Sequence, residues 1–175
     1  SKGDFILVEA SNFELLASIF NSQSNWEETL RNYLRAKSAY TKLGDKPGEA
    51  RLLSTIAEKY FNAGVYKKSA EYSEQEFLLY GEQNVKNMAY ATEMAARSYY
   101  YLPDDSLSSK WYSAASFYYE KAADSTGFIR CSEKLGTLYS GSGMYDQALE
   151  KYEKVLSVYI FRKDYSNIAV TYNNL

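Results

Sequence analysis

A chain of 175 residues without a single histidine has few ways to do chemistry. The absence removes Ser-His-Asp and Cys-His nucleophilic catalysis, imidazole metal sites and the usual general base near neutral pH. Three groups remain to be weighed. Cys131, the one cysteine, follows Arg130, and a guanidinium beside a thiol favours the thiolate. A reactive thiol is therefore one reading, and inert packing among apolar helical neighbours is the other. Asp104 and Asp105 could hold a hard cation through their oxygens, but two aspartates at a helix start also serve as caps. Gly141-Ser142-Gly143 is glycine-rich, yet it has no following Lys-Ser/Thr and no strand before it, so phosphate cradling is not expected. No catalytic residue, cofactor or metal ligand is assigned, and the chain reads as non-enzymatic.

Charge and hydropathy narrow the partners. Lys and Arg number 20 against 22 Asp and Glu, giving a formal net charge of −2. That balance offers no general electrostatic case for nucleic acid. No run approaches the roughly 18 apolar residues a membrane span requires, so no membrane contact is expected from this stretch. No signal peptide is visible. The chain reads as a fragment of a longer protein, since it opens on Ser-Lys-Gly and stops at Leu175 inside a helical pattern. Its compartment stays open between cytoplasm and periplasm.

The elements that would position these groups are helices. Tyr145, Ala148, Leu149, Tyr152, Val155, Leu156 and Tyr159 are spaced by three and four, which is one apolar face of a helix. Before them runs another such segment with Leu135-Gly136 and Tyr139, stopped by Gly143, so Ile129 to Arg162 reads as an antiparallel helical hairpin. Trp26-x2-Thr29-x3-Tyr33-x2-Ala36 repeats the register of Tyr145-x2-Ala148-x3-Tyr152-x2-Val155. Further helices are expected from Asp4, from Pro47 to about Asn62, from about Tyr66 to Tyr80, from about Val85 to Tyr101, and after Asp104-Asp105 to about Ala123. Gly44 and Gly64 suit turns, and Thr126-Gly127 reads as a break. Ser73 stands where the other second helices carry tyrosine, so its hairpin should be looser there or filled by Tyr72. The Leu135 position recurs at Leu16, Ile56, Ala95 and Leu175, with spacings of 40, 39, 40 and 40 residues.

Leu135-Gly136-x2-Tyr139 followed by Ala148-x3-Tyr152 resembles a tetratricopeptide repeat (TPR), whose mark is W-x2-L-G-x2-Y, then A-x3-F, then P. Ser132 stands at the Trp position and Ile160 at the Pro position. The family's usual period is about 34 residues, so each helix here should be about one turn longer. The resemblance implies an all-α fold: an α-α superhelix (TPR solenoid) of about four helical hairpins plus a truncated fifth first helix. It implies one array over 1–175, with repeats at about 9–48, 49–87, 88–127 and 128–167 and a partial copy at 168–175.

It also implies a concave groove lined by the first helix of each pair, holding a protein or peptide ligand. Transferred position by position, the groove residues are Arg51, Glu58, Phe61, Tyr90, Glu93, Arg97, Tyr100, Tyr101, Arg130 and Glu133. An extended or helical peptide with an acidic or apolar side chain would fit them. The bland alternative is that Tyr100 and Tyr101 pack between helices. Chaperone-binding relatives hold a terminal carboxylate, and Glu14, Glu93 and Glu133 would repel one. The long-period copies resemble the arrays of bacterial signalling and regulatory proteins, which suggests a scaffold or sensor module. A purely architectural spacer, self-associating through exposed array ends, and a eukaryotic-type adaptor are the alternatives.

Overall fold

Apolar residues spaced by three and four, with only two prolines in the chain, leave helix as the regular structure this sequence can support. The computed structural model describes residues 2–80 and 84–173. It contains α1 (Lys2–Ser22), α2 (Trp26–Leu43), α3 (Lys46–Asn62), α4 (Tyr66–Leu79), α5 (Val85–Tyr101), α6 (Asp105–Lys121), α7 (Ser125–Gly141), α8 (Tyr145–Arg162) and α9 (Tyr165–Asn173). Among the described residues there is no strand, and no helix is long and apolar enough to cross a membrane.

The turns after α1, α2, α3, α5, α6, α7 and α8 are built the same way. The amides of Asn25, Asp45, Val65, Asp104, Asp124, Met144 and Asp164 donate to the carbonyl of the aromatic residue five places earlier, at 2.8–3.1 Å. Those aromatics are Phe20, Tyr40, Tyr60, Tyr99, Tyr119, Tyr139 and Tyr159. The bond closes the last helical turn and satisfies carbonyls that would otherwise be orphaned. It requires a left-handed residue just before the donor in most turns. Gly44, Gly64 and Gly143 fill that place with φ of 70°, 74° and 74°, and Ser24, Ala123 and Lys163 fill it with φ of 57°, 54° and 57°. Asn25, Asp45, Asp104, Asp124 and Asp164 then cap the next helix, their side chains accepting first-turn amides at 2.9–3.2 Å. Asp104 is thus the cap and Asp105 the first residue of α6.

Two compact units result, Ser1–Gly81 and Glu82–Leu175. In the first, α1 to α4 pack on one another in chain order around Ala10, Ala36, Ala39, Tyr40 and Leu52. In the second, α5 to α9 do the same around Ala96, Tyr112, Ala115, Tyr119, Cys131 and Leu135, and then around Ile129, Val155 and Tyr159. Burial pushes the Cys131 thiol up, which favours packing over reactivity. Ile56, Ala95 and Leu135 are buried at the recurring position. Leu16 is 40% exposed. Leu175 lies outside the described residues.

The expected break at Thr126-Gly127 is a correction. Gly127 is the third residue of α7, and Gly48 holds the same place in α3. A Cβ on Gly127 would stand 2.3 Å from the Tyr119 ring, and one on Gly48 would stand 2.6 Å from Tyr40. These glycines let the preceding tyrosine lie flat on the first turn of the next helix.

The α3–α4 hairpin departs from the others. Ser73, fully buried where α2, α6 and α8 carry Tyr33, Tyr112 and Tyr152, donates to the Ser69 carbonyl at 2.9 Å. Tyr72 stacks on Tyr60 at 5.5 Å. Glu76 stands where the other second helices bury Ala36, Ala115 and Val155, and it is 2% exposed. Tyr80 donates to its Oε1 at 3.0 Å, while Oε2 has no hydrogen-bond partner. Burial pushes the Glu76 carboxyl up to about 7, with the Tyr80 and Ser54 hydroxyls pulling the other way and the charge of Glu58 adding to the rise.

Two outcomes are expected from these contacts. Gly127→Ala drives a methyl into a ring that is 4% exposed and should cost about 2 kcal/mol in urea unfolding; an unchanged midpoint would show that the ring yields freely. Glu76 binds a proton in the folded state that the unfolded chain has lost between pH 4.5 and about 7, so its contribution falls as pH rises through that window. Glu76→Gln should therefore gain on the wild type by up to about 3 kcal/mol from about pH 5 to about pH 8. A constant difference between the two proteins across that range would refute the assignment.

Candidate functional site

Position 14 of α1, 93 of α5 and 133 of α7 are the same place in the repeat, and each holds a glutamate. Each of these carboxylates takes the hydroxyl of a tyrosine near the end of the following helix. Tyr40 donates to Glu14 at 2.7 Å, Tyr119 to Glu93 at 2.5 Å and Tyr159 to Glu133 at 3.0 Å. In two cases an arginine from the next first helix completes the set. Arg51 binds both oxygens of Glu14 at 2.6 and 2.7 Å, and Arg130 binds both oxygens of Glu93 at 2.5 and 2.6 Å. Each guanidinium also lies over its tyrosine, 5.8 Å above Tyr40 and 5.7 Å above Tyr119. Beside Glu133 the corresponding residue is Val170, so that pair has no arginine.

The electrostatics follow from this geometry. The Arg51 hydrogen bond holds the Glu14 carboxyl below its ordinary range. Burial, and then the bond to Glu93, pushes the Tyr119 phenol up; burial, and then the bond to Glu133, pushes Tyr159 up to about 12. The phenols stay protonated and act as donors. Arg51, Arg130, Glu93 and Glu133, read from the sequence as groove positions, thus spend much of their bonding capacity inside the array. Phe61 packs edge-on against Tyr66 at 5.3 Å, and Glu58 is half-buried near Glu76.

Within the second unit the remaining positions converge. Tyr90, Met94, Arg97 and Tyr101 recur at four, three and four along α5, one face of the helix, and Arg130 and Lys134 are one turn apart on α7. Together with Glu93, Tyr100 and Tyr112 they enclose a cavity of about 400 Å³. Met94 and Tyr112 are buried, whereas Tyr90, Tyr100 and Tyr101 are 39%, 37% and 54% exposed. Tyr100 and Tyr101 meet edge to face at 5.7 Å, and the Lys134 ammonium lies 5.4 Å over the Tyr100 ring. Six positions transferred by resemblance therefore line one cavity: Tyr90, Glu93, Arg97, Tyr100, Tyr101 and Arg130. Sequence reasoning missed Lys134, Met94 and Tyr112. Lys134, four residues after Arg130, was open to detection by helical spacing alone; Tyr112 was not, because it comes from α6. Among the described residues no cluster of His, Cys, Asp and Glu could hold a metal ion.

No protein-family model and no curated protein matches this sequence. Solved structures do match. BtubC (BKLC) from P. vanneervenii superposes with a TM-score of 0.71 at 17% identity, over 97% of this chain and 71% of that one. TPR-like repeats from Podosopora anserina, described as nearly identical to one another, give 0.68 at 14% identity, over 94% and 85%. A signal transduction ATPase with numerous domains from Pyrococcus horikoshii, carrying a tetratricopeptide repeat sensor, gives 0.72 at 12% identity, over 95% of this chain and 26% of that one. At such identities the likeness shows the fold. The chain folds as a helical-repeat protein of the α-α superhelical class, and its hairpins are of the tetratricopeptide type.

The Glu93 set is the more enclosed of the two complete sets, with a carboxylate side chain 8% exposed against 22% for Glu14. Glu93→Ala should cost about 3 kcal/mol in urea unfolding, since it strands Tyr119 and Arg130, and Glu14→Ala about 1 kcal/mol. Equal losses would show that burial does not set the strength of these bonds.

Proposed function

We propose that this chain is a non-catalytic protein- or peptide-binding module, a scaffold or sensor within a larger regulatory protein. Residues 1–175 are read as one array on the strength of the repeat spacing of 39 and 40 residues. One observation carries the reading: three tyrosines and the cationic side chains of Arg97, Arg130 and Lys134 border one cavity, with the tyrosine rings left partly in water. Tyrosine and arginine anchor interfaces, one through rigid apolar area and the other through its fork of donors. Rings that served only to pack helices together would be buried as Tyr112 and Tyr119 are, at 3% and 4% exposure. The tetratricopeptide sensor of the Pyrococcus horikoshii protein supports a sensing role by analogy of fold. Arg51, Glu58, Phe61 and Glu133 remain candidate contacts from the resemblance alone.

A second reading, a self-associating spacer, draws on the apolar surface of α1, where Phe5, Val8 and Leu15 are 72%, 57% and 62% exposed. One experiment separates the two. The wild type and an Arg97/Tyr100/Tyr101 triple alanine variant, both verified as helical by circular dichroism, are used as bait in the source lysate. A partner retained by the wild type and lost by the folded variant supports the groove. Identical capture by both, together with concentration-dependent dimers in light scattering, favours the spacer.

A further inference from the structure

Among the described residues one buried side-chain oxygen has no hydrogen-bond partner, Oε2 of Glu76. The groups that act on this carboxyl are the Tyr80 phenol beside it and, from α3, which packs on α4, the Ser54 hydroxyl and the Glu58 carboxylate. A neutral acid costs little in such a place compared with a carboxylate, whose charge would meet both burial and the like charge of Glu58. The helix that carries Glu76 has little to hold it down. α4 has 14 residues, where the others from α1 to α8 have 17 to 21. It buries Ser69, Ala70, Ser73 and Glu76, whereas α8 buries Ala148, Tyr152, Val155, Leu156 and Tyr159. Val65 at its start provides no side-chain cap, and Tyr80 at its end is extended, its amide reaching the Phe77 carbonyl at 3.3 Å. Few buried apolar side chains and weak ends mark an element that opens locally before the rest unfolds.

We propose that α4 is a pH-responsive element of the first unit: it is docked on α3 while Glu76 is protonated, and it is released locally, with the carboxylate in water, when Glu76 ionises. Release returns the acid to its ordinary range, so bound protons favour the docked state. Opening therefore becomes easier from about pH 4.5 to about pH 7 and is level above that. Glu76 supplies the sensitivity, and the thin packing of α4 keeps the response local. The inference goes beyond the binding reading above and is independent of what the array binds.

The test is amide hydrogen exchange on the whole chain, wild type beside Glu76→Gln, which keeps the shape and removes the titration. With intrinsic exchange rates divided out, protection of the α4 amides in the wild type should fall at least about tenfold between about pH 5 and about pH 7, and in the variant it should stay constant. The α4 amides should also be less protected than those of α2 and respond less to low urea, as a local opening exposes little surface. An equal pH response in the two proteins would overturn the proposal. So would α4 amides that match those of α2 in protection and urea response, since the acid would then act on global unfolding alone. Carbon NMR of the Glu76 carboxyl gives a reading on the wild type by itself: a titration midpoint at the ordinary glutamate value of about 4.3 would overturn the proposal whether or not the variant folds.

Discussion

A phenol hydroxyl held by a buried or half-buried carboxylate is the contact on which three of these hairpins depend. Tyr40–Glu14, Tyr119–Glu93 and Tyr159–Glu133 each tie the end of a second helix to the middle of the first, 26 residues back in sequence. The bond explains features that otherwise look unrelated. A tyrosine reaching that far must lie along the start of the next helix, and Gly48 and Gly127 are the residues that leave room for Tyr40 and Tyr119. A carboxylate held in so little solvent needs a countercharge, and Arg51 and Arg130 bring it from the following repeat. Each set therefore fixes one hairpin and docks the next in the same few ångströms.

The α3–α4 hairpin shows what happens when the parts are redistributed. Its first helix carries Ser54 at the glutamate position, and the carboxylate appears instead on the second helix as Glu76, in a place other repeats fill with Ala or Val. Tyr80 still finds an acid to donate to, now four residues away on its own helix turn. Burial makes the neutral form the cheaper state of this acid, and the nearby charge of Glu58 adds to the effect, which is why its proton is held toward neutrality.

Much of this architecture was legible from spacing. Helix bounds at Val85–Tyr101 and Tyr145–Arg162 followed from apolar periodicity, because packing of one face is what orders a helix in water. The cavity's α5 wall was reachable by transferring positions from the resemblance. What was not legible involves contacts between helices. Gly127 read as a break because glycine is usually punctuation; that it answers a ring eight residues earlier becomes visible only with both helices in place. Yet a signal existed, since Asp45-x2-Gly48 and Asp124-x2-Gly127 are the same cap-and-clearance motif. Ala123 and Lys163 hid their turns because neither is a residue that favours a left-handed backbone. Leu16 misled in the other direction, since periodicity marks a face as apolar without saying whether anything covers it.

The uniform turn has a further consequence. The aromatic residues that close the turns fall at 20, 40 and 60 in the first unit and at 99, 119, 139 and 159 in the second, so within each unit the backbone repeats by the single helix and not by the pair. A polymer with that symmetry has two phases in which neighbours can be grouped, and main-chain hydrogen bonds are indifferent between them. Side chains break the tie: acids on odd-numbered helices and their phenol partners on even-numbered ones admit only one phase. Phase is thus written in few letters, and α4 carries its acid on the even-numbered side.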